Sequence, residues 1–378
     1  MREALIVDFD FALARHEQPT YEILDQAFQH IKMPLLVKDE NGVDITNPDI
    51  KNLPTRFFRV GFVSYVASAV EIDNTDDIDL SIFNLVVIIT TEVLTNSGNY
   101  NINEYIVRAR SKFCNNNIIV VCGGALNYQT RKDVFIYPSF LLNTANTNTF
   151  IDTNLFPKPK LFDALLGLNK PHRRMILDYL QNSGLITQTF ASLLKYDYHD
   201  PRKEFLYYSE ELYDLESVSA RQCIEKYGAF NSYHNLNSSG VFNWISSQVP
   251  FNIYQLSYYS IIAETLNDGP VFFTEKIAKP LYAKRLFVVF SSMNYLSELH
   301  KFGFKTFDGI IDESYDQIEN EAERHNAACC ELLKLSKLDP IEVYQTIEPI
   351  IEHNHKLIQN REYFINPMRE WLFSHFYL

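Results

Sequence analysis

Two stretches of this chain concentrate the side chains that hold anions. In NKPHRRMILDYL, residues 169–180, Asn169, His172, Arg173 and Arg174 stand at a turn that leads into a helical pattern. A helix start presents free N–H groups and a positive dipole end, and a guanidinium reaches phosphate oxygens with two donors. The second stretch, residues 261–292, holds Glu264, then Thr274-Glu275-Lys276 opening an apolar run, then Lys279-Pro280 and the strand-like RLFVVFS. Thr274, followed directly by good helix formers, suits an N-cap. If both stretches lie at strand C-termini of one sheet, they share the place where open α/β sheets bind ligands. Taken singly, each also reads as an ordinary helix start with a solvated or capped first turn.

Other chemistries lack their residues. No Gly-x-Ser-x-Gly occurs, and the ten histidines are scattered. His353 and His355 are two apart, so a helix points them to different faces. Five cysteines, Cys114, Cys122, Cys223, Cys329 and Cys330, show no zinc spacing and read as reduced thiols. Gly123-Gly124 suits a strand stop, and the acids Asp312–Asp316 suit a solvated loop.

The sequence around these groups reads as α/β. Residues 4–9 form a short apolar strand, and residues 20–31 have helical spacing. NLVVIIT (84–90) and NIIVVC (117–122) are the β-branched runs of strands buried on both faces of a parallel sheet, with a helix expected between them at 102–113. VFIYPSF (134–140) reads as another strand. Residues 143–160, rich in Asn and Thr with two prolines, mark the domain boundary. Beyond it come a strand at 161–168, a helix ending at Gly184, a polar Tyr-rich loop at 196–217 and a buried strand at 285–291. After about 321 the pattern is helical, with Trp371, Phe373 and Phe376 as a docking face. The expected domains are 1–150, 151–320 and a helical 321–378.

The 378 residues are 46% hydrophobic and 21% charged, a folded composition, and no apolar run is long enough to span a membrane. The N-terminus makes a poor signal peptide, so a cytoplasmic protein is expected. The net charge of −13 is uneven: 12 basic against 18 acidic groups in 1–150, 16 against 16 in 151–310, and 6 against 13 in 311–378. Only 158–174 is locally basic, with Lys158, Lys160, Lys170, Arg173 and Arg174 against Asp163. That favours a small anionic ligand over broad nucleic-acid contact.

The residues also carry a resemblance. Glu264-Thr265, then Phe273-Thr274-Glu275-Lys276 and the strand LFVVF, resemble the donor-binding signature of the α-1,3-fucosyltransferase family, and Leu168-Asn169…Arg173 is similar to its upstream Asn-then-Arg segment. Gly-Phe-Lys-Thr-Phe (303–307) and Asp-Glu-Ser-Tyr-Asp (312–316) are similar to stretches of phage-encoded glycosyltransferases. The resemblance spans roughly 160–320. Ala263-Glu264-Thr265 replaces the family's Phe-Glu-Asn, and Arg174 rivals Arg173 in placement, so neither fucose nor guanine carries over.

The resemblance implies a GT-B architecture, two Rossmann-like domains facing a cleft, with a nucleotide-diphosphate sugar as donor and no metal. Arg173 and Lys276 would contact the diphosphate, Glu275 the ribose or sugar, and Glu264 would lie close by. Fixed cations suit this reaction because breaking the sugar–phosphate bond leaves growing charge on the diphosphate. Such enzymes place a base in the first domain, and Glu92, Asp8 and Asp10 are candidates at expected strand ends. The acceptor is a hydroxymethylated base in phage DNA or a hydroxyl on a glycan or small molecule. Two other readings stay open. Asp8-Phe9-Asp10 after a strand resembles the opening of haloacid-dehalogenase phosphatases, although Ala12 stands where they carry Thr or Val. A non-catalytic nucleotide- or glycan-binding protein would keep the fold without turnover.

Overall fold

The structure is a computed structural model that describes residues 5–9, 35–36, 58–64, 85–93, 102–112, 114–123, 132–154, 156–194, 205–207 and 249–376. The expected helix at 20–31 lies outside them, as do Asp10 and all of the 196–217 loop except 205–207. The chain divides into two compact units. One comprises residues 1–139, 234–242 and 361–378; the other comprises 140–233 and 243–360.

The first unit is built on strands β1 (Leu5–Phe9), β2 (Leu35–Leu36), β3 (Phe58–Ser64), β4 (Leu85–Val93), β5 (Ile118–Gly123) and β6 (Val134–Tyr137). They pair in the order β2-β1-β3-β4-β5-β6, every pair parallel. Val86, Val87, Ile88, Val120 and Val121 are wholly buried, which explains their unbroken apolar run. Helix α1 (Ile102–Lys112) buries Ile102, Tyr105, Ile106 and Ala109, one face at helical spacing.

The second unit begins with helix α2 (Ser139–Thr147), where the sequence suggested a strand end and a structureless boundary. Its Asn and Thr residues are poor helix formers. Local bonds offset this: Thr144 Oγ1 donates to the Phe140 carbonyl and Asn148 Nδ2 to the Thr144 carbonyl. Next come strand β7 (Lys160–Leu168), helix α3 (Pro171–Asn182), strands β8 (Thr189–Leu194) and β9 (Phe205–Tyr207), and strand β10 (Ser257–Ala263). Helix α4 (Glu275–Tyr282), strand β11 (Phe287–Phe290), helix α5 (Tyr295–Lys301) and helices α6 (Glu321–Leu335) and α7 (Pro340–Gln359) follow. The strand order is β9-β8-β7-β10-β11, with only β8–β9 antiparallel. Counted from β7 this is 3-2-1-4-5, the order of a Rossmann sheet, and it reverses between β7 and β10. The fold class expected from the sequence, α/β with two Rossmann-like units and a helical C-terminal segment, is the one observed.

The last helix, α8 (Arg361–Phe376), groups with the first unit. Trp371 packs on Phe135 of β6 at 5.4 Å between ring centroids, and His375 Nε2 lies 2.9 Å from the Lys132 carbonyl. The 321–378 segment therefore splits between the two units at Asn360.

The N-terminal half of the second sheet is pinned by buried charge. Asp163 of β7 pairs with Arg285, and Ser257 and Ser260 donate to the same carboxylate oxygen at 2.9 and 3.2 Å. Arg285 also donates to the carbonyls of Tyr254 and Ser257, both at 2.9 Å, and lies over the Tyr254 ring. Nearby, the Lys158 ammonium is buried against carbonyls, and burial, with Arg285 close by, lowers its pKa to about 7. The basic stretch 158–174 is thus not one patch: Lys158 and Lys160 sit at the start of β7 and Arg173 beyond its end, about 26 Å of strand apart.

Candidate functional site

The C-terminal ends of β7 and β10 carry the residues that the sequence singled out. β7 closes with a register irregularity between Leu165 and Leu168, spanned by Gly167 in the left-handed region at φ +65°. A Cβ at Gly167 would stand 3.2 Å from an Arg173 guanidinium nitrogen, so glycine serves both the turn and the close approach. Pro171 then opens α3 with its pre-set φ.

His172 and Arg173 face inward, each only 3% exposed, as the first of the buried set His172, Arg173, Ile176, Leu177 and Leu180. Arg173 donates to the carbonyls of Ala263 and Glu264, both at 3.2 Å, and His172 Nε2 lies 3.1 Å from the Glu264 carbonyl. Lys170 reaches the Thr265 carbonyl at 2.8 Å. Three side chains from one turn thus hold the end of β10. Burial lowers the Arg173 pKa, with Glu264 and Glu275 opposing the shift. Burial, with Arg173 alongside, takes His172 down to about 4. Arg174 points outward and pairs loosely with Asp178 at 3.8 Å, and Asn169 is exposed. Geometry thus separates two arginines that sequence position left equivalent.

Glu264 is fully buried and its acceptor positions are taken. Oε1 accepts from Thr274 N at 3.3 Å and the Tyr295 hydroxyl at 2.7 Å; Oε2 accepts from Thr265 N at 3.2 Å and the Thr274 hydroxyl at 2.5 Å. Burial raises its pKa, against Lys276 and these bonds. Thr274 also caps α4, its oxygen accepting from Lys276 N at 3.3 Å. The Lys276 ammonium is part-exposed, within 3.2 Å of Thr265 Oγ1, 3.3 Å of Thr274 Oγ1 and 2.8 Å of Glu275 Oε1. At Glu275, burial raises the carboxyl pKa, but Lys276 and Lys279 outweigh it and hold the pKa below the usual value.

Arg173, Glu264, Thr274, Glu275 and Lys276 therefore belong to one bonded cluster beside the strand-order reversal. The loop above is clamped by Arg324, which donates to the carbonyls of Ser291, Ile318, Glu319 and Asn267 at 2.7 to 3.0 Å. The sequence reading missed Gly167, Tyr295 and Arg324. Of these, Gly167 had a signal, an isolated glycine late in a strand pattern.

In the first unit, Asp8 lies in β1 opposite Gly61, one residue before the strand ends. Glu92 lies within β4, in the irregular stretch between Thr90 and Val93, where pairing with β5 slips. Order in this sheet reverses between β1 and β3, beside Asp8 rather than Glu92. His353 and His355 bond to different carbonyls, those of Gly303 and Tyr282. Among the described residues, no three His, Cys, Asp or Glu side chains group as a metal nest, and no helix is long and apolar enough to cross a membrane.

Several solved structures are similar to the chain. T4 phage BGT in complex with UDP and Mn2+ aligns over 99% of this chain and 100% of its own, with 8% identity and a TM-score of 0.38. An alpha1,3-fucosyltransferase with GDP aligns over 95% and 93%, with 10% identity and a TM-score of 0.35. Neither a scan of family models nor a search of curated proteins finds a match.

Proposed function

We propose that this chain is a nucleotide-sugar-dependent glycosyltransferase of the GT-B type, with its donor site at the C-terminal edge of the second sheet. The observation that carries the reading is the convergence of α3 and α4 on Glu264 where the strand order reverses. Lys276, part-exposed at a capped helix start, is the cation we assign to the donor diphosphate. Arg173, turned inward, forms the floor beneath it and adds positive charge at short range. Glu275 beside Lys276 suits a ribose or sugar hydroxyl, since a carboxylate held ionised accepts a hydrogen bond.

In this reaction the anomeric carbon–oxygen bond to the diphosphate breaks as the acceptor oxygen bonds to that carbon. The acceptor proton goes to a carboxylate of the first unit, for which Asp8, Asp10 and Glu92 are the candidates, and the leaving diphosphate gains charge that Lys276 offsets. The proposed chemistry draws this charge from side chains, and transfer is expected to survive chelation; restoration by Mn2+ after EDTA would reverse that part. The favoured acceptor is a hydroxymethylated base in DNA, on the strength of the phage resemblance at 303–307 and 312–316, and the alternative is a glycan or small-molecule hydroxyl. Activity on DNA that falls steeply with salt supports the first, and salt-indifferent transfer to an oligosaccharide supports the second. The test of the whole reading is a panel of nucleotide-sugars assayed for sugar transfer and for release of nucleoside diphosphate. Turnover of at least one donor is expected; no binding and no turnover across the panel would refute it.

A further inference from the structure

We infer that Tyr295 and Asp316 are positioning residues for the Lys276 ammonium, acting through Glu264. The inference rests on the donor-site reading above and gives the 303–316 motifs a structural task at that site.

The chain of contacts is continuous. Asp316 accepts from the first amides of α5, Leu296 N at 3.0 Å and Ser297 N at 3.2 Å, and its own carbonyl accepts from Asn294 N at 2.8 Å. Asn294 is left-handed at φ 67°, and this turn sets the first residue of α5, Tyr295. The Tyr295 ring is held edge-on by Phe273 at 5.0 Å, and its hydroxyl donates to Glu264. Glu264 in turn fixes the Thr274 hydroxyl and the Thr265 amide, and those two threonines supply two of the three oxygens around the Lys276 ammonium. The rest of the motif supports this chain: Glu313 accepts from Thr306 Oγ1 and Phe307 N, both at 2.6 Å, closing the 303–307 segment onto the 313–317 turn.

The groups around Glu264 are His172 and Arg173 from α3, Glu275 and Lys276 from α4, and Tyr295 from α5, with Asp316 behind Tyr295. Tyr295→Phe removes one hydroxyl and little volume, leaving Oε1 with Thr274 N alone. The lost bond favoured the ionised carboxylate, so the folded pKa of Glu264, already raised by burial, rises further. A carboxyl raised on folding contributes stability that is complete below its unfolded pKa and lost as pH rises through the folded one. The stability deficit of Tyr295→Phe is therefore larger where Glu264 is ionised than where it is protonated, and shrinks as pH falls.

The experiment measures thermal stability of wild type, Tyr295→Phe and Tyr315→Phe across pH 5–8, and the affinity of each for UDP and GDP. Tyr315 is a comparably buried tyrosine whose oxygen accepts from a neutral amide, Val289 N at 3.4 Å, and only feels Glu313, Asp316 and Glu331 at longer range, so its deficit should change less with pH. The Tyr295→Phe deficit should be smaller at pH 5 than at pH 8, and its affinity for the bound probe at pH 8 should drop about tenfold. A Tyr295→Phe deficit that is as pH-independent as that of Tyr315→Phe overturns the positioning role, as does unchanged probe affinity. Asp316→Asn, which weakens the α5 cap without touching Glu264, should lower probe affinity in the same direction, and unchanged affinity removes Asp316 from the chain. A wild-type protein that binds neither probe refutes the donor-site reading instead, while the pH dependence without ligand still decides whether Tyr295 controls Glu264.

Discussion

Gly167→Ala joins the fold to the site, and its effect can be worked from two separate costs. The first is conformational: an alanine held at φ +65° costs about 1–2 kcal/mol, because its Cβ crowds the following carbonyl. The second is steric: the new Cβ meets the Arg173 guanidinium at 3.2 Å, so the arginine must give by a few tenths of an ångström. That shift disturbs the two 3.2 Å bonds that tie α3 to the end of β10. Gly184→Ala isolates the first cost, since Gly184 has φ +76° and nothing within 4 Å of its added Cβ. For a unit of roughly 200 residues, each kcal/mol lowers the melting temperature by about 2–4 °C. Gly184→Ala should therefore lose about 2–8 °C, and Gly167→Ala about 2 °C more. Thermal denaturation supplies these values, and titration with UDP and GDP should show weaker binding for Gly167→Ala alone. Equal destabilisation of the two variants, with equal nucleotide affinity, would refute the link between this glycine and the arginine floor.

Arg285→Met leaves Asp163 buried with two serine hydroxyls but no ion-pair partner, and urea denaturation should show a loss of about 3–5 kcal/mol in the second unit. Adding Asp163→Leu to that variant should recover most of the loss, because both charges are then gone. His172 binds its proton far less readily folded than unfolded, so its contribution to stability is complete above about pH 6.5 and is lost as pH falls toward 4. Its Nδ1 has no hydrogen-bond partner among the described residues, so an added proton enters dry surroundings, and His172→Gln should flatten this part of the stability–pH curve. Asp8→Asn, Asp10→Asn and Glu92→Gln should each leave donor binding intact, while one of them abolishes transfer in a product-release assay.

The elements legible in the sequence are those where burial is purely apolar. β4 and β5 announced themselves as runs of Val and Ile because both faces of their strands are covered. β10 did not, although every one of its residues is buried, because Ser257 and Ser260 interrupt its apolar pattern. Those serines are inside because Asp163 and Arg285 need donors and acceptors there, a requirement set by a strand about a hundred positions away. Helix α2 was hidden for the opposite reason: Thr144 within it and Asn148 just past its end bond back to the local backbone, which composition alone reads as a loop. At the site, Thr274 was legible as a cap because capping is local. Burial of Arg173 and exposure of Arg174 depend on how α3 packs, which no spacing rule records. The four donors that surround Glu264 come from three segments, so its side chain could be named from the sequence but not its surroundings.

The reversal point of the second sheet is proposed to hold a nucleoside diphosphate through Lys276. Calorimetric titration of UDP and GDP into wild type, Lys276→Ala and the surface control Lys301→Ala tests it most directly. One nucleotide should bind wild type and Lys301→Ala alike and Lys276→Ala at least about tenfold more weakly, since a charged phosphate contact contributes roughly 1.5–3 kcal/mol. Equal affinity in all three proteins, or no binding of either nucleotide to wild type, would contradict it.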